Sequence, residues 1–310
     1  MRSEETEAIA EALGGAVSAA STLAGGFSHE TCLVTYAGGR VVARLGGPDP
    51  GVEAAVMATA RRHVPVPEVL AVLPATERTR PVMLVEYVPG ELLARVLATG
   101  DGAWMRELGA EVGRVVAGIA AVRFERRGFF TDASLTAGPE RPWSEQLPAF
   151  ADKCMAGASE SRLDEATRRA WAALCEAHAP ALAAVDDHAR LVHADVNPKN
   201  ILVARTRAGW RVEAVLDWEF AYSGCPYGDA ANMARFGHDY PAAFLDGFRA
   251  GFAGHPPAGL PLQEDWGYLG RVLDMFALSD LVTRPPGHSV ADQAAERIRH
   301  WVAEGVPRSL

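Results

Sequence analysis

Three oxygen-bearing side chains stand at the edges of apolar runs between positions 191 and 229. Leu191-Val-His-Ala-Asp-Val-Asn-Pro-Lys-Asn-Ile-Leu-Val203 sets Asp195 and Asn200 in a polar loop between two apolar strands, and a turn at Ala208-Gly209 leads to a third strand that delivers Asp217. The five-position step from Asp195 to Asn200, with a second carboxylate downstream, is the spacing of a base and a metal-binding amide in phosphoryl transfer. Moving a γ-phosphoryl group forms little covalent bonding to protein, so the residues needed are those that position reactants and neutralise charge. Asp195 would orient an acceptor hydroxyl and take its proton. Asn200 and Asp217 would give hard oxygen donors to Mg²⁺, which keeps several waters and takes substrate phosphates as further ligands.

Two other readings use the same residues. Asp and Asn near turns form local hydrogen bonds of no functional meaning, which leaves their joint spacing between apolar runs unexplained. A hydrolytic metal centre on His193, Asp195 and Asp217 would need a further ligand at suitable spacing.

The run His193-Ala-Asp-Val-Asn-Pro-Lys-Asn200, followed by Leu216-Asp-Trp-Glu219 and Gly228-Asp229, resembles the aminoglycoside phosphotransferase family, small-molecule kinases of protein-kinase-like fold. The resemblance implies a bilobal α+β fold. A nucleotide-binding lobe with a small antiparallel sheet would span residues 1–87, and a larger, mainly helical catalytic and substrate lobe residues 88–310. Backbone groups near Glu86 and Val88, in the hinge Glu86-Tyr-Val-Pro-Gly90, would meet the adenine edge. His193 and Asp229 would brace the loop that holds Asp195. ATP or GTP would be the donor, Mg²⁺ the cofactor, and a small-molecule hydroxyl the acceptor, with a cationic, aminoglycoside-like antibiotic as first choice. A metabolic kinase of amino alcohols or sugars, or a nucleotide-binding pseudokinase, are the alternatives.

The elements that must position these residues follow from hydrophobic period. Ser3 is expected to cap a short helix ending at Gly14-Gly15. A strand-turn-strand then places Gly25 and Gly26 where backbone N–H groups can approach phosphate, with the Ser28 hydroxyl beside them. Arg40-Val-Val-Ala-Arg-Leu45 resembles the Val-Ala-x-Lys strand of kinases, with Arg44 at the phosphate-contacting position and Glu53, in the first turn of the next helix, as its ion-pair partner. Arg is a planar fork where Lys is a point charge, so the exchange alters the contact. Strands are expected at Val69–Leu73 and Val82–Val85. A helix follows along Trp104, Leu108, Val112, Val115, Ile119 and Val122, then an irregular span from Phe129 to Pro148 and a helix ending in His178 near Pro180. Three C-terminal helices are expected, and the family resemblance implies that they build the acceptor pocket. Asp239, Asp246, Glu264, Asp265, Asp274 and Asp280 are its candidate acids, with Arg271 and Asp274 spaced to pair on one helix face.

Composition bounds the rest. A chain of 310 residues with 49% hydrophobic and 22% charged side chains has room for two lobes around a large core. A net charge of −9 argues against nucleic acid as partner and is compatible with a cationic substrate. Cys32, Cys154, Cys175 and Cys225 form no Cys-x-x-Cys pair, so neither a zinc site nor a disulfide framework is expected, and reduced thiols in the cytoplasm are. The acidic N-terminus is unlike a secretory signal, and no apolar run approaches the roughly 18 residues of a membrane span.

Overall fold

The computed structural model describes residues 1–23, 29–47, 50–100 and 102–310, so Gly25, Gly26 and Ser28 lie outside the described residues. The N-terminal part is α1 (Ser3–Ala12), β1 (Val17–Thr22), β2 (Glu30–Tyr36), β3 (Gly39–Leu45), α2 (Gly51–Ala60), β4 (Val69–Leu73) and β5 (Val82–Glu86). The five strands form one antiparallel sheet in the order β1-β2-β3-β5-β4. Alternation along β2 and β3 turns Cys32, Val34, Val41, Ala43 and Leu45 to a core closed by Ile9 of α1. Val82 to Val85 of β5 are all buried, because α1 covers one face of the sheet and α2, through Val56, Met57 and Ala60, the other. Arg2 rather than Ser3 stands at the cap of α1, its N–H received by Glu5 at 2.8 Å.

Beyond the hinge the chain is mainly helical. It runs through β6 (Glu91–Leu92), α3 (Leu93–Thr99), α4 (Trp104–Ile119), β7 (Gly128–Phe129), α5 (Trp143–Gly157), α6 (Glu165–His178), β8 (Arg190–Val192), β9 (Ile201–Thr206), β10 (Gly209–Val215), β11 (Tyr222–Gly224), α7 (Tyr227–Ala234), α8 (Ala242–Ala253), α9 (Trp266–Leu281) and α10 (Ser289–Glu304). The expected irregular span stops at Trp143, and Pro148 lies inside α5. Proline there removes one backbone hydrogen bond. The helix survives because Trp143, Leu147, Ala151, Cys154 and Met155 bury at helical spacing, and Asp186 receives the N–H of Ser144 at 3.2 Å. His178 is satisfied by the Tyr268 hydroxyl at 2.7 Å. All four cysteines are buried and free. Among the described residues no helix is long and apolar enough to cross a membrane.

Helices α4 and α8 pack backbone to backbone through glycines. A Cβ on Gly109 would stand 2.0 Å from the Phe244 carbonyl oxygen, and one on Gly247 2.0 Å from that of Arg106. Gly247→Ala must therefore push two helices apart, and overpacking of this kind destabilises by roughly 1–3 kcal/mol. We expect its thermal midpoint to fall by several degrees (about 2–4 °C per kcal/mol in chains of this size), whereas Gly157→Ala, with no atom within 4 Å of its added Cβ, stays near wild type. Equal midpoints for the two variants would mean that the helix contact is not tight.

Candidate active site

The backbone leaves β8 through a left-handed turn at Ala194, φ +68°, a conformation that a residue with a Cβ adopts only when held. Helix α7 holds it. Asp229 accepts the His193 N–H on Oδ2 and the Ala194 N–H on Oδ1, both at 2.9 Å, and Asn232, one turn later, donates from Nδ2 to the Ala194 carbonyl at 2.7 Å. Burial pushes the Asp229 carboxyl up to about 7, against the pull of those two N–H groups.

His193 is fully buried and occupied on both nitrogens. Nδ1 accepts the Asp195 N–H at 3.2 Å, which assigns the proton to Nε2, the donor to the Leu216 carbonyl at 2.9 Å. Its ring leans on Trp218 with centroids 4.5 Å apart, and burial pushes its pKa down to about 4, so the imidazole is neutral. His193 thus ties the Asp195 loop to the segment carrying Asp217. With both nitrogens engaged it has none left for a metal, which removes the hydrolytic centre.

Two amides grip Asp195. Asn197 donates from Nδ2 to Oδ1 at 3.1 Å and Asn200 from Nδ2 to Oδ2 at 2.8 Å, and each also reaches the Asp195 carbonyl at 3.0 Å. Burial pushes the Asp195 carboxyl up to about 6, with the Arg235 charge opposing and Asp217 adding to the rise. Lys199 is exposed.

The strands before and after the Asp195–Asn200 loop belong to two different sheets. β8 pairs with β11, and β11 with β7, whereas β9 pairs with β10 and β6. The β9–β10 register sets Val215 opposite Ile201, and Leu216 donates to the Asn200 carbonyl at 2.8 Å. Asn200 and Asp217 therefore flank one end of that hairpin, while Asp195 arrives from the other sheet. With its amide nitrogen on Asp195, Asn200 keeps its side-chain oxygen, and Asp217 keeps Oδ2, unpartnered among the described residues. These hard oxygens suit Mg²⁺, whose other ligands would be waters and phosphates.

The N-terminal sheet reaches the segment after this hairpin through Arg44. It pairs with Glu53, as the resemblance implied, and Nη2 also reaches Asp217 Oδ1 at 2.7 Å. Glu53 in turn accepts the Trp218 N–H at 3.1 Å, and His29 stands between Arg44 at 3.2 Å and Glu219 at 3.5 Å. Glu86 ends β5 opposite Val41, its carboxylate on Arg61 at 3.0 Å and on the Glu68 N–H at 3.1 Å. Val88 follows, half-buried, and at Gly90 an added Cβ would lie 3.2 Å from Leu202, so the hinge runs against β9.

Sequence reasoning missed His29, Asn232 and Arg235. Asn232 and Arg235 recur three and six positions after Asp229, a helical step that could have flagged one face of α7. The expected Arg271–Asp274 pair does not form, because Asp274 is taken by Arg235 at 2.6 Å. Most other candidate acids also have partners: Asp246 pairs with Arg106 at 2.9 Å, Asp280 with Arg284 at 3.0 Å and Asp239 with His238 at 3.3 Å.

A five-stranded antiparallel sheet joined by a hinge to a mainly helical part, with an Asp–Asn loop and hairpin at the junction, defines a protein-kinase-like fold. The chain belongs to the phosphotransferase enzyme family, whose model matches residues 19–262. No curated protein matches it in sequence. Among solved structures it is similar to a thermostable mutant of aminoglycoside phosphotransferase APH(4)-Ia in ternary complex with AMP-PNP and hygromycin B, at 21% identity and a TM-score of 0.74 over 98% of this chain and 99% of that one. It is also similar to the GDP complex of an aminoglycoside 2'-phosphotransferase IIIa mutant, at 17% identity and a TM-score of 0.68 over 97% and 94%. A Thermobifida fusca protein provisionally identified as a fructosamine-3-kinase matches at 17% identity and a TM-score of 0.64 over 95% and 98%.

Proposed function

We propose that the protein transfers the γ-phosphate of ATP or GTP to a hydroxyl of a small molecule. The carrying observation is Asp195, held by two amides beside a pair of hard oxygens, with a carboxyl near 6 that is ionised yet basic at neutral pH. Asp195 orients the acceptor hydroxyl and receives its proton. Asn200 and Asp217 hold Mg²⁺, which when bound offsets the charge of the phosphates. Arg44, aimed by Glu53, faces the phosphates, the backbone near Glu86 and Val88 meets the base, and Gly25, Gly26 and Ser28 are kept as phosphate contacts on the sequence alone. His193 and Asp229 keep the loop in place. Residues 1–87 form the nucleotide lobe and 88–310 the catalytic and substrate lobe. Four free thiols suit the reducing cytoplasm.

An aminoglycoside-like acceptor is supported by the antibiotic in the similar APH(4)-Ia structure. A less cationic metabolic hydroxyl compound is the second reading, favoured by the ion pairs that occupy Asp239, Asp246, Asp274 and Asp280. Incubating enzyme, nucleotide and Mg²⁺ with aminoglycosides, other basic antibiotics, amino alcohols and sugars should give one product heavier by a single phosphate in the mass spectrum. Nucleotide titration should show affinity that needs metal and is lost in Asp217→Ala. Nucleotide affinity indifferent both to metal and to Asp217→Ala would end the proposal.

A further inference from the structure

Past the C-terminal end of α7 a cavity of about 460 Å³ is lined by Ala234, His238, Tyr240, Arg249 of α8, Arg271 of α9 and Arg297 of α10. Arg271 is only 8% exposed, and its side chain donates to two backbone carbonyls, Ala234 at 3.2 Å and Ser309 at 3.3 Å. Among the described residues neither Arg271 nor Arg297 pairs with a carboxylate. No acidic side chain lines the cavity among the described residues, and the carboxylates whose charge reaches Arg271 and Arg297 are already engaged, Asp274 by Arg235 and Asp239 by His238; Arg249 itself pairs with Asp246 at 3.3 Å. Arg297 donates to His238 Nδ1, while its Nε–H, like that of Arg249, is buried with no partner among the described residues. Burial first, then the charges of Arg297, Arg249 and Arg235, push Arg271 down to about 10 against the opposing pull of Asp274.

Arg271 also lies over the Trp301 ring at 5.9 Å, but a buried guanidinium whose hydrogen bonds, among the described residues, go only to carbonyls gains further from an anion that completes it. Guanidinium forks match the oxygens of phosphate and carboxylate in shape as well as charge. We propose that this cavity is a binding site for a small oxyanion, a phosphate- or carboxylate-bearing compound. The site is coupled to the active-site loop by α7: Asn232 holds the Ala194 carbonyl, and Ala234, two residues on, lines the cavity. The anion is either a group on the acceptor or free phosphate. Only the first source rests on the kinase reading; binding itself does not.

The test uses the full chain with ADP and Mg²⁺ at saturation, so that any nucleotide site is filled. Inorganic phosphate, titrated calorimetrically against chloride at constant ionic strength, should bind and raise the thermal midpoint. Arg249→Gln with Arg297→Gln should weaken that affinity about tenfold or more, as expected when two charge-assisted hydrogen bonds are lost. The Lys–Lys variant, which keeps charge but not the fork, should fall between them, and unchanged ADP affinity and circular dichroism show that each variant folds. No phosphate binding beyond chloride in wild type, or equal affinity in the Gln–Gln variant, overturns the site. Phosphate that raises the acceptor KM marks the anion as part of the acceptor. Phosphate that alters kcat without altering KM marks a free effector.

Discussion

Asp195→Asn is expected to lower turnover by about 10²–10⁴, the usual contribution of a positioned base, while nucleotide affinity stays near wild type. The amide is isosteric and its one oxygen can still accept from Asn197 or Asn200, each of which also keeps its bond to the residue 195 carbonyl, so the loss would be chiefly one of proton acceptance and not of fold. Because the Asp195 carboxyl sits near 6, wild-type turnover should fall with unit slope as pH drops through that value, and the variant should lack this limb. Stability should move the other way. The folded pKa lies above the ordinary 3.8, so ionising Asp195 destabilises the fold progressively as pH rises from there to about 6. Asp195→Asn should consequently be as stable as wild type in acid and more stable at neutral pH. Steady-state rates and thermal midpoints across pH check both statements, and wild-type turnover in the variant would remove Asp195 from its role.

Asp229→Ala should be the most damaging single change behind the site. It leaves the His193 and Ala194 N–H groups without an acceptor in a buried place, at a penalty of roughly 1–3 kcal/mol each. The turn at Ala194, which needs those bonds to hold its positive φ, would relax and carry Asp195 away. We expect lower stability in urea and turnover reduced on the order of 10- to 100-fold, as for other residues that orient a reacting group. Asp229→Asn, which retains one acceptor oxygen, should lose less of both. The Asp229 carboxyl is raised to about 7, so wild-type stability should decline as pH climbs from about 4 to about 7, a slope absent from the Asn variant. Full activity and unchanged stability of Asp229→Ala would show that α7 does not hold the loop.

Much of this was legible in the chain. The strands around Asp195 and Asn200, the turn at Ala208-Gly209, the Arg44 and Glu53 strand and helix, and the α4 stripe all follow from hydrophobic period and turn residues within a few positions of one another. Such signals are local, because a strand repeats every two residues and a helix about every four. The two-sheet origin of the site was not legible, since β8 and β9 are close in sequence yet hydrogen-bond to β11 and β10, and strand pairing is decided by which faces find cover. Helix α5 runs through Pro148 for the same reason: five buried side chains outweigh one missing backbone bond.

Sequence by itself determined which groups could do chemistry and on which kind of element each sits. Tertiary structure alone decided how the charges are shared: Arg44 with Asp217 across 173 residues, and Arg235 rather than Arg271 with Asp274 across 39. Ion pairs carry no period along the chain. A guanidinium on a long flexible stem takes whichever carboxylate packing brings within reach, and only after those pairings are made do Arg271 and Arg297 stand out, among the described residues, as cavity arginines with no carboxylate partner.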